Sequence, residues 1–272
     1  MLIESFAFVI RHIAKPQPLP ATIQKQFVKK KNVFILISLL ILVAAGIFVY
    51  AQKVKVKDDR FITYIIDTEK QEMKLYWRND KNENFKSLQN LKNWLEKNNK
   101  TLIFAMNGGM YKQDNSPQGL FIENKKSITP LNISSGSGNF YLKPNGVFYI
   151  TINNFPGIRS TANFNDKWKV KYATQSGPML VINGKIHTAF KEGSTNLNIR
   201  NGVGILPNNK VVFVMSKKKI NFYDFANYFK SLGCKNALYL DGLVSRTYLP
   251  EQNWIQTDGN FGVIIGVTKS KP

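Results

Sequence analysis

The pattern of apolar and polar positions divides the chain near residue 60. Before that point lies one apolar run, Val33 to Tyr50, in which Ser38 is the one hydrophilic residue. After it, apolar residues come in short segments. Phe61 to Asp67 (FITYIID) and Met73 to Trp77 (MKLYW) predict two strands, joined as a hairpin through Thr68 to Glu72. Ser87 predicts a helix N-cap; Leu88, Leu91 and Leu95 then recur at helical spacing, and Asn98-Asn99 ends the element. Thr101 to Met106 (TLIFAM) reads as a buried strand that runs into Asn107-Gly108-Gly109.

A series of short strands follows. Leu120 to Glu123 and Ser127 to Pro130 flank Asn124-Lys125-Lys126, and Asn139 to Leu142 and Gly146 to Ile152 flank Lys143-Pro144-Asn145. Thr174 to Gly177 leads into Pro178. Met179 to Ile182 and Lys185 to His187 enclose Asn183-Gly184, a type I′ hairpin signal. Gly202 to Leu206 and Lys210 to Ser216 flank Pro207-Asn208-Asn209. A second helix is predicted over Phe222 to Leu232, with Phe222, Phe225, Ala226, Phe229 and Leu232 on one face and Gly233 stopping it. Ala237 to Leu240 (ALYL) is another short buried strand, running into Asp241-Gly242, and Gly262 to Val267 is the last. These elements predict a single α+β (mixed α/β) domain over residues 61–270. Its core would be a mixed β-sheet, with hairpins and a few helices packed through Leu91, Leu95, Phe225 and Phe229.

The run from Val33 to Tyr50 is 18 residues, which as a helix spans about 27 Å, enough for a hydrocarbon core. Arg11, Lys15, Lys25, Lys29, Lys30 and Lys31 precede it, against the one acid Glu4. Lys53, Lys55 and Lys57 follow, partly offset by Asp58 and Asp59. This bias predicts a basic cytoplasmic tail (1–32), one N-terminal transmembrane helix (33–50), a linker (51–60) and an extracytoplasmic domain. Val49-Tyr50-Ala51 also fits a signal-peptidase site, with cleavage leaving a chain that starts at Gln52. The length of the run favours a retained anchor.

Composition narrows the chemistry. One cysteine and two histidines far apart, His12 and His187, exclude multi-cysteine zinc sites and HExxH chemistry. No P-loop signature is present, and no Gly-x-Ser-x-Gly elbow. No cofactor is expected. The chain carries 38 Lys+Arg against 17 Asp+Glu, a net charge of +21. The excess is mostly lysine, spread along the chain without a basic stripe interleaved with aromatics. It therefore argues against nucleic acid and stays compatible with an anionic substrate or envelope polymer.

Two units repeat one design: a helix, a buried strand, then a loop of glycine and one polar residue, ending Asn107-Gly108-Gly109 and Asp241-Gly242. Glycine loops expose amides that can bind an oxyanion or phosphate. Ser176-Gly177-Pro178 is a third such place. Arg200, leading into an apolar strand, has the geometry to grip phosphate. Asp241 is the carboxylate held most rigidly at a strand end. Ser135-Gly136-Ser137-Gly138 reads as a flexible loop, and His187 and Cys234 as packing or surface residues.

In order along the chain stand Asn107-Gly-Gly-Met-Tyr111, Pro117-Gln-Gly-Leu120, Gly138-Asn-Phe-Tyr-Leu-Lys-Pro-Asn-Gly-Val-Phe148, Ala173-Thr-Gln-Ser-Gly-Pro-Met-Leu180, Arg200-Asn-Gly-Val-Gly204, Asn221-Phe-Tyr-Asp-Phe-Ala226 and Leu238-Tyr-Leu-Asp-Gly-Leu-Val-Ser-Arg246. From about Phe61 to Val267 this series resembles the bacterial branch of the phosphodiester glycosidase domain family. It departs from the uncovering-enzyme branch in the last motif, where Asp241-Gly-Leu-Val-Ser245 stands for a glycine-richer stretch. The resemblance implies hydrolysis of a sugar-1-phosphodiester at its glycosidic side, and the predicted extracytoplasmic topology makes an envelope or exopolysaccharide glycan the expected substrate. It implies Asp241 as base or nucleophile, with Asn107 and Arg200 beside it. Arg200 and the amides of Gly108, Gly109 and Gly177 would form a phosphate cradle, Asn107, Gln175 and Ser245 would hydrogen-bond the sugar or phosphate, and Ser176 and Gly242 would also line the substrate site. Asp114 and Glu123 are candidates for a second carboxylate. The competing expectation is a non-catalytic module that binds glycans or phosphopolymers, or an accessory of polysaccharide export.

Overall fold

The computed structural model describes residues 36–43, 58–165 and 169–271. Helix α1 covers 36–43. Then come β1 (Phe61–Ile66), β2 (Glu72–Tyr76), α2 (Leu88–Lys97), β3 (Lys100–Asn107), β4 (Phe121–Glu123), β5 (Lys126–Thr129), β6 (Gly146–Thr151), β7 (Pro156–Ser160), β8 (Val170–Ser176) and β9 (Met179–Ile182). They continue as β10 (Lys185–Ile186), β11 (Asn201–Ile205), β12 (Val211–Ser216), α3 (Phe222–Ser231), β13 (Ala237–Asp241), β14 (Thr247–Leu249), β15 (Trp254–Ile255) and β16 (Ile264–Ser270).

The strands form three sheets, in the orders β1-β12-β11-β13-β9-β10, β15-β14-β3-β16-β2 and β5-β4-β8-β6-β7. Among the described residues every ladder between them is antiparallel. The expected single mixed sheet is thus corrected to three antiparallel ones. The expected hairpin of β1 and β2 is also corrected: β1 pairs with β12 and β2 with β16. The turn at Asp67, whose carbonyl accepts the amides of Lys70 and Gln71, passes the chain from one sheet to another. Asn139 to Leu142 is no strand. Asn139–Tyr141 is a 3-10 turn that buries Phe140 and closes through Tyr141 N–H to Gly138 O. Strands β7, β14 and β15 are too short or too polar to stand out in the sequence.

One core lies between the sheets. Phe213 of β12 meets Phe104 of β3 at 5.3 Å and Phe148 of β6 at 5.9 Å, so one ring touches all three sheets. β12 is apolar on both faces because both are covered. Val211, Phe213 and Met215 face this core, while Val212 and Val214 pack with Phe225, Ala226 and Phe229 of α3. Helix α2 buries Leu88, Leu91 and Leu95 against Leu102 and Ala105 of β3 and Ile264 of β16. Ser87 caps it as expected, accepting from Asn90 N–H at 3.1 Å. Asn183 and Gly184 both have positive φ, the type I′ turn the sequence asks for.

The apolar run falls partly outside the described residues, as do the basic tail and most of the linker. Over 36–43 it is helical, with leucines exposed. Among the described residues no helix is long and apolar enough to cross a membrane.

Candidate active site

Four strand ends meet where the first two sheets adjoin. β3 ends at Asn107, β13 ends at Asp241, β11 begins at Asn201, and Arg246 leads into β14. Asn201 is the partner of Asp241 across the β11–β13 ladder, and the register shifts directly after it. Such a bulge re-aims a side chain without breaking the sheet.

Asp241 is buried, and its carboxylate is held on three sides. Oδ1 accepts from Gly242 N–H at 2.6 Å and Leu243 N–H at 3.1 Å. Oδ2 accepts from Asn107 Nδ2 at 3.1 Å. Burial pushes its pKa up, opposed by the amides of Leu243 and Gly242, by Asn107 and by the Val244 amide. The carboxylate therefore caps its own turn in surroundings that favour its protonated form. It lines a cavity of about 420 Å³ with Met110, Tyr111, Lys112, Gln118, Tyr141 and Leu243 among the walls. The Tyr111 phenol is pushed up by burial and by the Asp241 charge, which places the two groups together.

Asp241 is the one carboxylate among the described residues lining that cavity. Asp114 is exposed and spends its Oδ1 on Ser116 N–H and Oγ, which hold its pKa down. Glu123 ends β4, away from this cavity, with its pKa raised by burial.

Most residues expected to touch substrate face inward instead. Arg200 is fully enclosed. Nε donates to Ile220 O, Nη1 to Tyr239 Oη, and Nη2 to Asn196 O and Oδ1, while the guanidinium stacks on Phe222 at 3.6 Å. No carboxylate pairs with it in those contacts, and burial lowers its pKa. Gln175 uses all four of its hydrogen-bonding positions on Leu120 N–H, Asn132 N–H, Asn132 O and Thr161 Oγ1. Ser245 Oγ donates to Asp241 O and Ser176 Oγ to Leu240 O. Gly108 N–H is taken by Val263 O. Gly109 is buried against Thr174, and Gly177 against Asn145. Gly242 alone of the expected cradle gives its amide to the catalytic candidate. These side chains are polar yet buried, and a strand-end loop reads the same whether its groups point to ligand or to neighbour.

The structure adds residues the reading did not single out: Tyr111, Lys112, Gln118, Tyr141 and Asn201. Tyr111, Gln118, Tyr141 and Asn201 all lie inside the quoted motifs, a signal that was present. Lys112 carried none among so many lysines. Among the described residues no cluster of metal-ligating side chains occurs. Cys234 and His187 are buried, as packing residues are.

A family model described as phosphodiester glycosidase matches residues 100–267. The uncharacterized protein YigE of Escherichia coli (strain K12) is 37% identical over 187 residues, 68% of this chain and 73% of its own. Two solved structures share the fold. One is the zebrafish N-acetylglucosamine-1-phosphodiester alpha-N-acetylglucosaminidase catalytic domain, auto-inhibited by its pro-peptide. It has 13% identity and a TM-score of 0.50, over 78% of this chain and 84% of that one. The other is a putative exported protein from Burkholderia pseudomallei K96243. It has 9% identity and a TM-score of 0.51, over 76% and 73%.

Proposed function

Because the chain belongs to the phosphodiester glycosidase family, we propose that it hydrolyses sugar-1-phosphodiesters at the glycosidic bond, releasing a free sugar and a phosphomonoester. The observation that carries this reading is Asp241, a buried carboxylate facing a cavity whose lining holds no second one among the described residues. An ordinary glycoside needs a carboxylic acid to protonate its leaving oxygen, hence two carboxylates. A phosphate ester leaves as a stable anion and needs none. One carboxylate suffices if it attacks C1 or takes the proton from the water that does.

Gly242 and Leu243 hold Oδ1 of Asp241, Asn107 holds Oδ2, the Val244 amide adds to them, and Asp241 lines the cavity. Lys112, the cation of the lining, would meet the phosphate. Tyr111, Gln118 and Tyr141 offer donors to sugar hydroxyls, and the Gln118–Tyr141 bond at 2.9 Å ties two of them together. Arg200 supports the loop from below.

The test is turnover of a sugar-1-phosphodiester by the full-length protein, with NMR following the anomer first released. Retention would make Asp241 a nucleophile and inversion a base. Binding without turnover would favour the non-catalytic module. We place the domain outside the cytoplasm, on an envelope or exopolysaccharide glycan, from the apolar run at 33–50 and the basic residues before it. Protease access to the domain in intact spheroplasts checks that topology, and full protection overturns it.

A further inference from the structure

We infer that Asn201 is a positioning residue for Asp241, acting through Asn107 by fixing which end of the Asn107 amide faces the carboxylate. The inference rests on the reading of Asp241 as the reacting carboxylate. A side-chain amide can turn over by 180° with almost no change of shape, so its neighbours decide which end points where. Asn107 Oδ1 accepts from Asn201 Nδ2 at 2.8 Å and from Arg246 N–H at 3.0 Å. Two donors on one atom make that atom the oxygen. Nδ2 is then left to donate to Asp241 Oδ2. Turned over, Asn107 would set its carbonyl against a carboxylate and its NH₂ against two donors.

Asn201 cannot turn either. Its Nδ2 also donates to Asn107 O at 3.0 Å, so a reversed Asn201 would press its own oxygen against two others. In the orientation it keeps, Asn201 Oδ1 is buried and unpaired. It is the one such side-chain atom found among the described residues. A fully buried carbonyl left without a donor is a cost in folding, and it is retained here only in a residue whose other end orients the site. Proteins accept such local conflicts chiefly at functional positions. The chain of contacts thus runs from Asn201 through Asn107 to Oδ2 of Asp241. Asn107 is the side-chain donor this structure gives to Asp241 Oδ2.

The substitution Asn201→Leu separates positioning from packing. It keeps the branched shape and removes the unpaired carbonyl, but it leaves Asn107 O and Oδ1 each short of a donor, so folding is checked by circular dichroism before the titration is read. It also removes one of the two donors that orient Asn107, leaving the Arg246 amide to hold it alone. Asp241 should then titrate about one pH unit higher, the scale of one hydrogen bond to a charged group. The acid limb of kcat/KM should move with it. The titration is read from the Asp241 carboxyl carbon by ¹³C NMR, which needs no substrate. In Asn107→Ala, where Asn201 has nothing to orient, adding Asn201→Leu should produce no further shift.

An unmoved Asp241 titration in folded Asn201→Leu overturns the inference, as does a shift of equal size in the Asn107→Ala background. Should Asn201→Leu not fold, the wild-type protein still decides. The Asn107 side-chain amide signals must follow the Asp241 titration, and signals indifferent to it overturn the inference too. A shifted titration in a protein that hydrolyses no sugar-1-phosphodiester would leave the positioning intact and remove the function proposed above.

Discussion

The hydroxyl of Tyr239 fills the space where a Cβ on Gly242 would stand, and Arg200 Nη1 donates to that hydroxyl at 3.2 Å. The residue after Asp241 is glycine because a buried phenol, fixed from behind by a buried guanidinium, leaves no room for more. The amide of that glycine in turn holds Asp241 Oδ1. Burial raises the Tyr239 pKa, which keeps the phenol protonated.

Gly242→Ala should therefore shift the Asp241 loop. Its expected cost is about 1–3 kcal/mol in urea unfolding, the usual scale of overpacking, with turnover lost alongside. Adding Tyr239→Phe removes the hydroxyl and should recover part of both. Additive losses in the double variant would mean that the two positions do not collide.

Arg200→Lys tests whether this guanidinium supports the loop or meets substrate. A lysine cannot serve Ile220 O, Asn196 and Tyr239 together, nor stack flat on Phe222. Stability should fall by roughly 2–4 kcal/mol, from buried acceptors left unpaired. KM for the phosphodiester, measured on the folded fraction, should stay near wild type. A raised KM with unchanged stability would restore Arg200 as a phosphate contact.

Lys112→Ala should do the reverse. KM should rise about tenfold with little change in stability, since the side chain leaves a cavity wall rather than the core. An unchanged KM would send the search for the phosphate contact elsewhere.

Asp241→Asn should lower turnover by at least about 100-fold. Its pH behaviour follows from the sign of the shift. Burial raises the folded-state pKa, so the folded protein holds the proton more tightly than the unfolded chain. The stability linked to this group is complete below its unfolded pKa, about 3.9. It declines as pH climbs from there through the raised folded value. Thermal unfolding of wild type should lose ground relative to Asp241→Asn across that window. The slope is the quantity to compare, because the asparagine also sets an NH₂ against Asn107 Nδ2. The acid limb of kcat/KM should lie above the ordinary carboxylate range.

Gly109 and Gly177 show where reading outward from motifs stopped working. Both sit in glycine turns that suit an anion cradle, yet each is glycine because a side chain stands against it, Thr174 in one case and Asn145 in the other. Gln175, a hydrogen-bonding residue inside a quoted motif, proves to be the clasp between Leu120, Asn132 and Thr161. Polarity inside a motif marks a residue that cannot be replaced freely, and it does not say whether a ligand or a neighbour requires it.

What the amino-acid order determined by itself was local. Helices α2 and α3, their caps, the Asn183-Gly184 turn and the strands through Phe104, Phe213 and Leu238 all depend on spacing within a few residues. Such spacing sets which faces are buried whatever the rest of the chain does. Asp241 was legible for the same reason, as the polar end of an apolar strand. Tertiary structure alone decided the rest: that β1 and β2 part into different sheets, that Arg200 turns inward, and that Asn201 reaches Asp241 through Asn107. The last of these depends on contacts between residues 94 and 134 positions apart, where a side chain's direction is set by which donor or acceptor the fold places opposite it.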